Sequence, residues 1–130
     1  MVLLVEDDSD TAAFYTALLS SEGLEVVSCV NCEQARQWWR NSSRTPDLMV
    51  LDMRLPDGNG LELCEGILGP LDNDSRPAVL VLSAHGDPRL PTLSRRAGAH
   101  AFLDKLSSVE TFLDTTRQLL AASTLRKGTI

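Results

Sequence analysis

Five short runs rich in valine and leucine, at residues 2–5, 24–30, 48–51, 79–82 and 101–103, alternate with segments whose apolar residues recur at helical spacing. No other feature restricts the fold as much. Each run has strand length and is bounded by charged residues, glycine or proline, so each reads as a buried strand. The segments between them place Ala13, Leu18 and Leu19, then Ala35, Trp38 and Trp39, then Leu61, Leu63, Ile67 and Leu68 on helical stripes. Leu93 and Ala97, and then Val109, Phe112, Leu113, Leu119 and Leu120, continue the series. Parallel neighbours need a crossover, and a helix after every strand supplies it. The expected architecture is α/β, a doubly wound parallel sheet of five strands with helices on both faces.

Helix punctuation agrees with this reading. Ser9 or Asp10 can cap the first helix and Gly23 can end it, Asn31 with Gln34 resembles a capping box, and Ser107 or Ser108 can cap the last helix. A chain of 130 residues suits one core. Residues 1–125 are expected to form it, with 126–130 a tail or the start of a linker to an output domain. The polar stretch GPLDNDSRP at 69–77 reads as a surface loop and not a domain boundary.

The net charge of −6 argues against direct nucleic-acid binding and against anionic lipid. Three cysteines, Cys29, Cys32 and Cys64, with no hydrophobic leader ahead of the first strand, fit a reducing cytoplasm. No apolar run approaches the roughly 18 residues of a membrane span. Cys29-x-x-Cys32 has metal-like spacing but lacks a second pair of ligands, so no zinc site is expected. His85 and His100 read as surface or sheet-end residues, His85 standing two positions after Ser83. Trp38 and Trp39 point about 100° apart on a helix, so one is expected to be half exposed.

In an open parallel sheet, ligands bind beyond the carboxyl ends of the strands. There the sequence places Glu6, Asp7 and Asp8 after the first strand, Asp52 after the third, Ser83 after the fourth and Lys105 after the fifth. Taken singly, these are ordinary loop or helix-capping residues. Taken together, Glu6, Asp7 and Asp52 would converge, and like charges so close call for a hard divalent cation. Mg²⁺ suits an all-oxygen set that keeps waters, whereas Ca²⁺ would want more protein oxygens. Beside such an ion Asp52 can attack phosphorus to give an acyl phosphate, with Lys105 and Ser83 stabilising the phosphoryl oxygens.

Four stretches, LLVEDD at 3–8, DMRLPDGNG at 52–60, LSA at 82–84 and GAHAFLDK at 98–105, resemble the receiver domain of response regulators in two-component signalling. That resemblance covers nearly the whole chain. It implies a flavodoxin-like (βα)5 fold with strand order 2-1-3-4-5. It further implies Asp52 as phosphoacceptor, Glu6 and Asp7 as the acidic pair with Asp7 a direct Mg²⁺ ligand, and the backbone carbonyl of Arg54 as a further ligand. Ser83 and Phe102 would be the switch pair. The implied donor is a sensor histidine kinase or phosphotransfer protein. An output domain or a homodimer would read the face of the fourth and fifth strands and helices. The implied protein is a signalling switch that catalyses its own phosphorylation and dephosphorylation, not a turnover enzyme.

This chain departs from the family pattern in two places. Leu106 follows Lys105 where the family usually has a proline, commonly in a cis bond, and the 69–77 loop is slightly long. Two other readings compete. A phosphatase of the haloacid dehalogenase type also uses a strand-end Asp, but it places a second Asp two residues on, where this chain has Arg54. A pseudo-receiver that never takes phosphate usually lacks the Asp or the acidic pair, and both are present here.

Overall fold

The computed structural model describes residues 1–84, 88 and 90–128, side chains at 73 and 124–128 excepted. The main sheet has five parallel strands, here labelled β1 (Val2–Val5), β2 (Val26–Cys29), β3 (Leu48–Asp52), β4 (Ala78–Ser83) and β5 (Ala101–Asp104). They lie in the order β2-β1-β3-β4-β5. The helices are α1 (Ser9–Ser21), α2 (Cys32–Asn41), α3 (Gly60–Leu68), α4 (Leu90–Arg96) and α5 (Val109–Gly128). The five-stranded parallel sheet and its strand order are as expected.

The central strands β1, β3 and β4 are fully buried, so both their faces are apolar. On one face Leu3, Val5, Met49, Leu51, Val79 and Val81 pack against α2 and α3. On the other, Val2, Leu4, Leu48, Val50 and Leu80 meet Tyr15 and Leu19 of α1 and Phe112 of α5. The rings of Tyr15 and Phe112 meet at a tilt, their centroids 4.9 Å apart. The edge strands β2 and β5 are only half buried. β2 is also shorter than the apolar run 24–30, because Leu24 is spent closing α1 and Val30 precedes the cap of α2.

Local chemistry sets the helix ends. Asp8, not Ser9 or Asp10, caps α1, its carboxylate accepting from the Thr11 N–H at 2.9 Å. The cap falls one residue early because β1 hands directly to the acidic turn. At the other end Gly23 has φ +78°, its N–H donates to the Ser20 carbonyl and the Leu24 N–H donates to the Leu19 carbonyl. That pair of bonds is a Schellman closure, which favours glycine at the left-handed position. Asn31 caps α2 through the Gln34 N–H at 2.8 Å, while the Gln34 side chain accepts from the Val30 N–H. The Ser108 hydroxyl accepts from the Thr111 N–H at the start of α5.

A two-residue hairpin that the sequence did not announce, Arg54–Leu55 against Gly58–Asn59, follows β3. Its tip carries Asp57, whose two carboxylate oxygens accept from the Cys32 N–H at 2.8 Å and the Glu33 N–H at 3.0 Å. The first turn of α2 is thereby held by the loop after β3. Those two backbone bonds also keep the Asp57 carboxyl below the usual carboxylate range. Trp38 and Trp39 of α2 are both half buried against the core, so the half exposure expected of one indole applies to both, and their rings meet edge to face. Among the described residues, no helix is long and apolar enough to cross a membrane.

Candidate functional site

Parallel register brings the strand ends to one level. Val5 is opposite Leu51, Asp52 opposite Leu82 and Ser83 opposite Asp104. Glu6, Asp52, Ser83 and Lys105 therefore leave the sheet along one edge. The strand ends are locked to each other as well: the Glu6 N–H donates to the Cys29 carbonyl, Met53 N–H to Leu82, and Lys105 N–H to Ser83. Asp7, Asp52, Arg54, Ser83 and Lys105 line a common open cleft.

Glu6 and Asp52 are nearly removed from water, at 2% and 7% exposure, whereas Asp7 is exposed at the mouth. One oxygen from each of the three carboxylates lies within 4.8 Å of the other two. Lys105 points inward, its ammonium donating to Glu6 Oε1 at 2.8 Å and to Asp52 Oδ2 at 3.0 Å. The second Asp52 oxygen accepts from the Arg54 N–H at 3.2 Å. Glu6 Oε2 is buried with no hydrogen-bond partner. Three carboxylates thus face one ammonium, and an acceptor is left over.

Electrostatics follow from that imbalance. Burial, and then the hydrogen bond and charge of Asp52, push the Glu6 carboxyl up to about 8, against the pull of Lys105. Burial works against the Lys105 ammonium too, but its bonds to Glu6 and Asp52 outweigh this and raise its pKa. The group least compensated takes the proton. A divalent cation would supply the missing positive charge and a partner for the orphaned Glu6 oxygen, and the all-oxygen donor set suits a hard ion such as Mg²⁺. Glu6, Asp7 and Asp52 fit that role. Among the described residues no other group of three or more carboxylate, histidine or cysteine side chains converges in this way.

A pH dependence follows. In the fold Glu6 keeps a proton up to about 8, whereas in the unfolded chain it releases it near 4.5. Between those values the native state binds more protons, so stability in the presence of chelator declines as pH rises through the window. Saturating Mg²⁺ should flatten the decline, because it binds the deprotonated carboxylate. Thermal melts across the window with EDTA and with Mg²⁺ test this, and identical pH profiles in the two series would refute it.

The other expected residues are placed as follows. Phe102 is half buried against the core, beside a cavity of about 90 Å³ that Pro91, Ser94 and Arg95 of α4 also line. The Ser94 hydroxyl is buried there without a partner. His100 extends the sheet, its Nδ1 accepting from the Val79 N–H at 3.0 Å and its own N–H donating to the Val79 carbonyl. His85 lies outside the described residues. Cys29 and Cys32 are separate buried thiols whose pKa burial raises. Sequence reasoning missed Asp57 and Asp104 as organisers of the loops around the site. Their signal was present only as Asx residues beside turns.

Comparison with known proteins gives the same answer as the geometry. The family model described as the response regulator receiver domain matches residues 2–117. The chain belongs to this family. Receiver relatives include the KDP operon transcriptional regulatory protein KdpE of Escherichia coli, 33% identical over 104 residues. That match takes in 80% of this chain and 44% of KdpE. The C4-dicarboxylate transport transcriptional regulatory protein DctD of Pseudomonas aeruginosa is 28% identical, over 92% of this chain and 25% of that protein. The receiver chain thus spans less than half the length of either regulator. Among solved structures, the BeF3-activated N-terminal receiver domain of Klebsiella pneumoniae RstA superposes with a TM-score of 0.79 at 25% identity. It covers 92% of this chain and 97% of that one.

Proposed function

We propose that this receiver domain is a working phosphoacceptor, taking a phosphoryl group from the phosphohistidine of a sensor histidine kinase or phosphotransfer protein onto Asp52. The observation that carries the reading is Lys105 Nζ held between Glu6 and Asp52, with the acidic set converging around them. Glu6, Asp7, Asp52 and the Arg54 backbone carbonyl would hold Mg²⁺, which when bound supplies positive charge to the phosphoryl oxygens.

In the forward step an Asp52 carboxylate oxygen bonds to phosphorus, the phosphorus–nitrogen bond breaks, and the imidazole leaves with its electron pair. Lys105 neutralises one phosphoryl oxygen and the Ser83 hydroxyl donates to another. In the off-step, water adds to phosphorus, inorganic phosphate departs and the Asp52 carboxylate is restored. Movement of Ser83 toward the phosphoryl group leaves room that Phe102 can enter, with the cavity beside Phe102 as slack for the rearrangement. The face of β4, α4, β5 and α5 then changes for an output domain or a second copy of the chain. Residues 1–125 would carry all of this, 126–130 would be a tail or linker, and the setting would be the cytoplasm.

Incubation with acetyl phosphate and Mg²⁺, followed by intact mass, tests the proposal. Wild type should gain one phosphoryl group, and Asp52→Ala should gain none. A wild type that stays unmodified, or an Asp52→Ala variant modified to the same extent, would refute it and leave the chain an interaction module.

A further inference from the structure

Lys105 reaches Glu6 and Asp52 from a loop that must turn immediately after it to enter α5. Three hydrogen bonds shape that loop. The Lys105 N–H donates to the Ser83 carbonyl at 2.7 Å, the Leu106 N–H to Asp104 Oδ1 at 2.8 Å, and the Ser107 N–H to the Asp104 carbonyl at 2.9 Å. One residue before the lysine therefore accepts, with its side chain and its main chain, from both residues after it. These three bonds set the direction of the chain as it leaves β5.

The side chain of Leu106 is spread on the surface at 87% exposure. What residue 106 contributes is its N–H, the one backbone group a proline would lack. The structure assigns Asp104 as a positioning residue for Lys105: its carboxylate closes an Asx turn across the lysine and so fixes where the ammonium arrives. The functional consequence rests on the phosphoacceptor reading above. The geometric one does not.

Two acceptor variants separate the oxygen from the charge. Asp104→Ala removes both, and Asp104→Asn keeps an oxygen in the same place without the charge. Loss of one hydrogen bond of ordinary net strength predicts that Asp104→Ala slows acetyl phosphate-driven modification of Asp52 about fivefold. Mg²⁺ affinity, read by tryptophan fluorescence, should rise and not fall, because an ammonium held less firmly between Glu6 and Asp52 competes less with the cation. Asp104→Asn should recover most of the rate. Leu106→Pro removes the donor, so adding Asp104→Ala to it should cost little more. An Asp104→Ala rate equal to wild type, an Asn variant as slow as Ala, or an equal penalty in the Leu106→Pro background would each overturn the assignment.

An NMR readout of the Lys105 ammonium decides the geometry without any phosphate. Its signal should be observable in wild type and Asp104→Asn and lost to exchange in Asp104→Ala, while circular dichroism shows all three folded. An unchanged signal in Asp104→Ala overturns the positioning role. If wild type takes no phosphate but the signal follows the Asp104 acceptor, the phosphoacceptor reading fails and the positioning role stands.

Discussion

Replacing Lys105 with methionine is expected to slow modification of Asp52 by acetyl phosphate about 10²–10³-fold, the usual cost of removing one preorganised charge donor from a transition state. The same substitution should tighten Mg²⁺ binding. Lys105 holds Glu6 Oε1 at 2.8 Å and Asp52 Oδ2 at 3.0 Å, so in the metal-free protein its ammonium already occupies part of the negative potential that a cation would use. Removing it leaves the carboxylates more negative and the metal more strongly attracted. Methionine is one atom shorter, keeps most of the apolar stem and removes the charge together with its two hydrogen bonds. Rate by intact mass and affinity by tryptophan fluorescence should therefore move in opposite senses. A variant that loses both together would point to a collapsed site, and one that keeps its rate would remove Lys105 from the chemistry.

Gly60→Ala should cost about 2–3 kcal/mol of stability. In a chain of this size that lowers the melting temperature by roughly 10 °C. Gly60 opens α3 directly behind β3, the strand that ends at Asp52. A Cβ at this position would lie 2.5 Å from the Asp52 carbonyl oxygen and 3.2 Å from its carbon, both backbone atoms, and 3.3 Å from Leu51 Cβ. A flexible side chain could move away from such an intruder, but the last turn of a central strand has no such freedom. The helix must back off from β3 and draw the hairpin with it, because the Gly60 N–H is bonded to the Met53 carbonyl. Gly66, later in the same helix, supplies the control. A Cβ there meets nothing within 4 Å, so Gly66→Ala should stabilise by up to about 1 kcal/mol through helix propensity. Urea unfolding of the pair should give opposite signs, and a neutral Gly60→Ala would show that the strand–helix contact is looser than drawn.

The sheet was legible because burial on both faces forces continuous apolar strands, and β1, β3 and β4 are almost entirely Val, Leu, Ala and Met. The site was legible for a related reason. Parallel strands deliver their carboxyl ends to one edge, so polar residues just beyond the apolar runs gather there, as with Glu6 after Val5, Asp52 after Leu51 and Lys105 two positions after Leu103. What sequence reading lost is governed by single hydrogen bonds and not by pattern. Asp8, Ser9 and Asp10 were all open as caps of α1, and one backbone amide, that of Thr11, decides for Asp8. The hairpin at Arg54–Asn59 has strands too short to show an alternation. The packing of both indoles on α2 depends on how that helix rolls against the sheet, which spacing along the helix cannot specify. The turn at Leu106 reverses a side-chain role that composition would assign, since an apolar residue serves through its amide.

The tie between Asp57 and α2 has an experimental use. The hairpin that leaves Asp52 grips the start of α2, so an event that displaces its tip must either drag that helix or sever two amide contacts. Both tryptophans of the protein ride on the helix. The chain therefore carries a built-in optical gauge of its own loop, with no label attached.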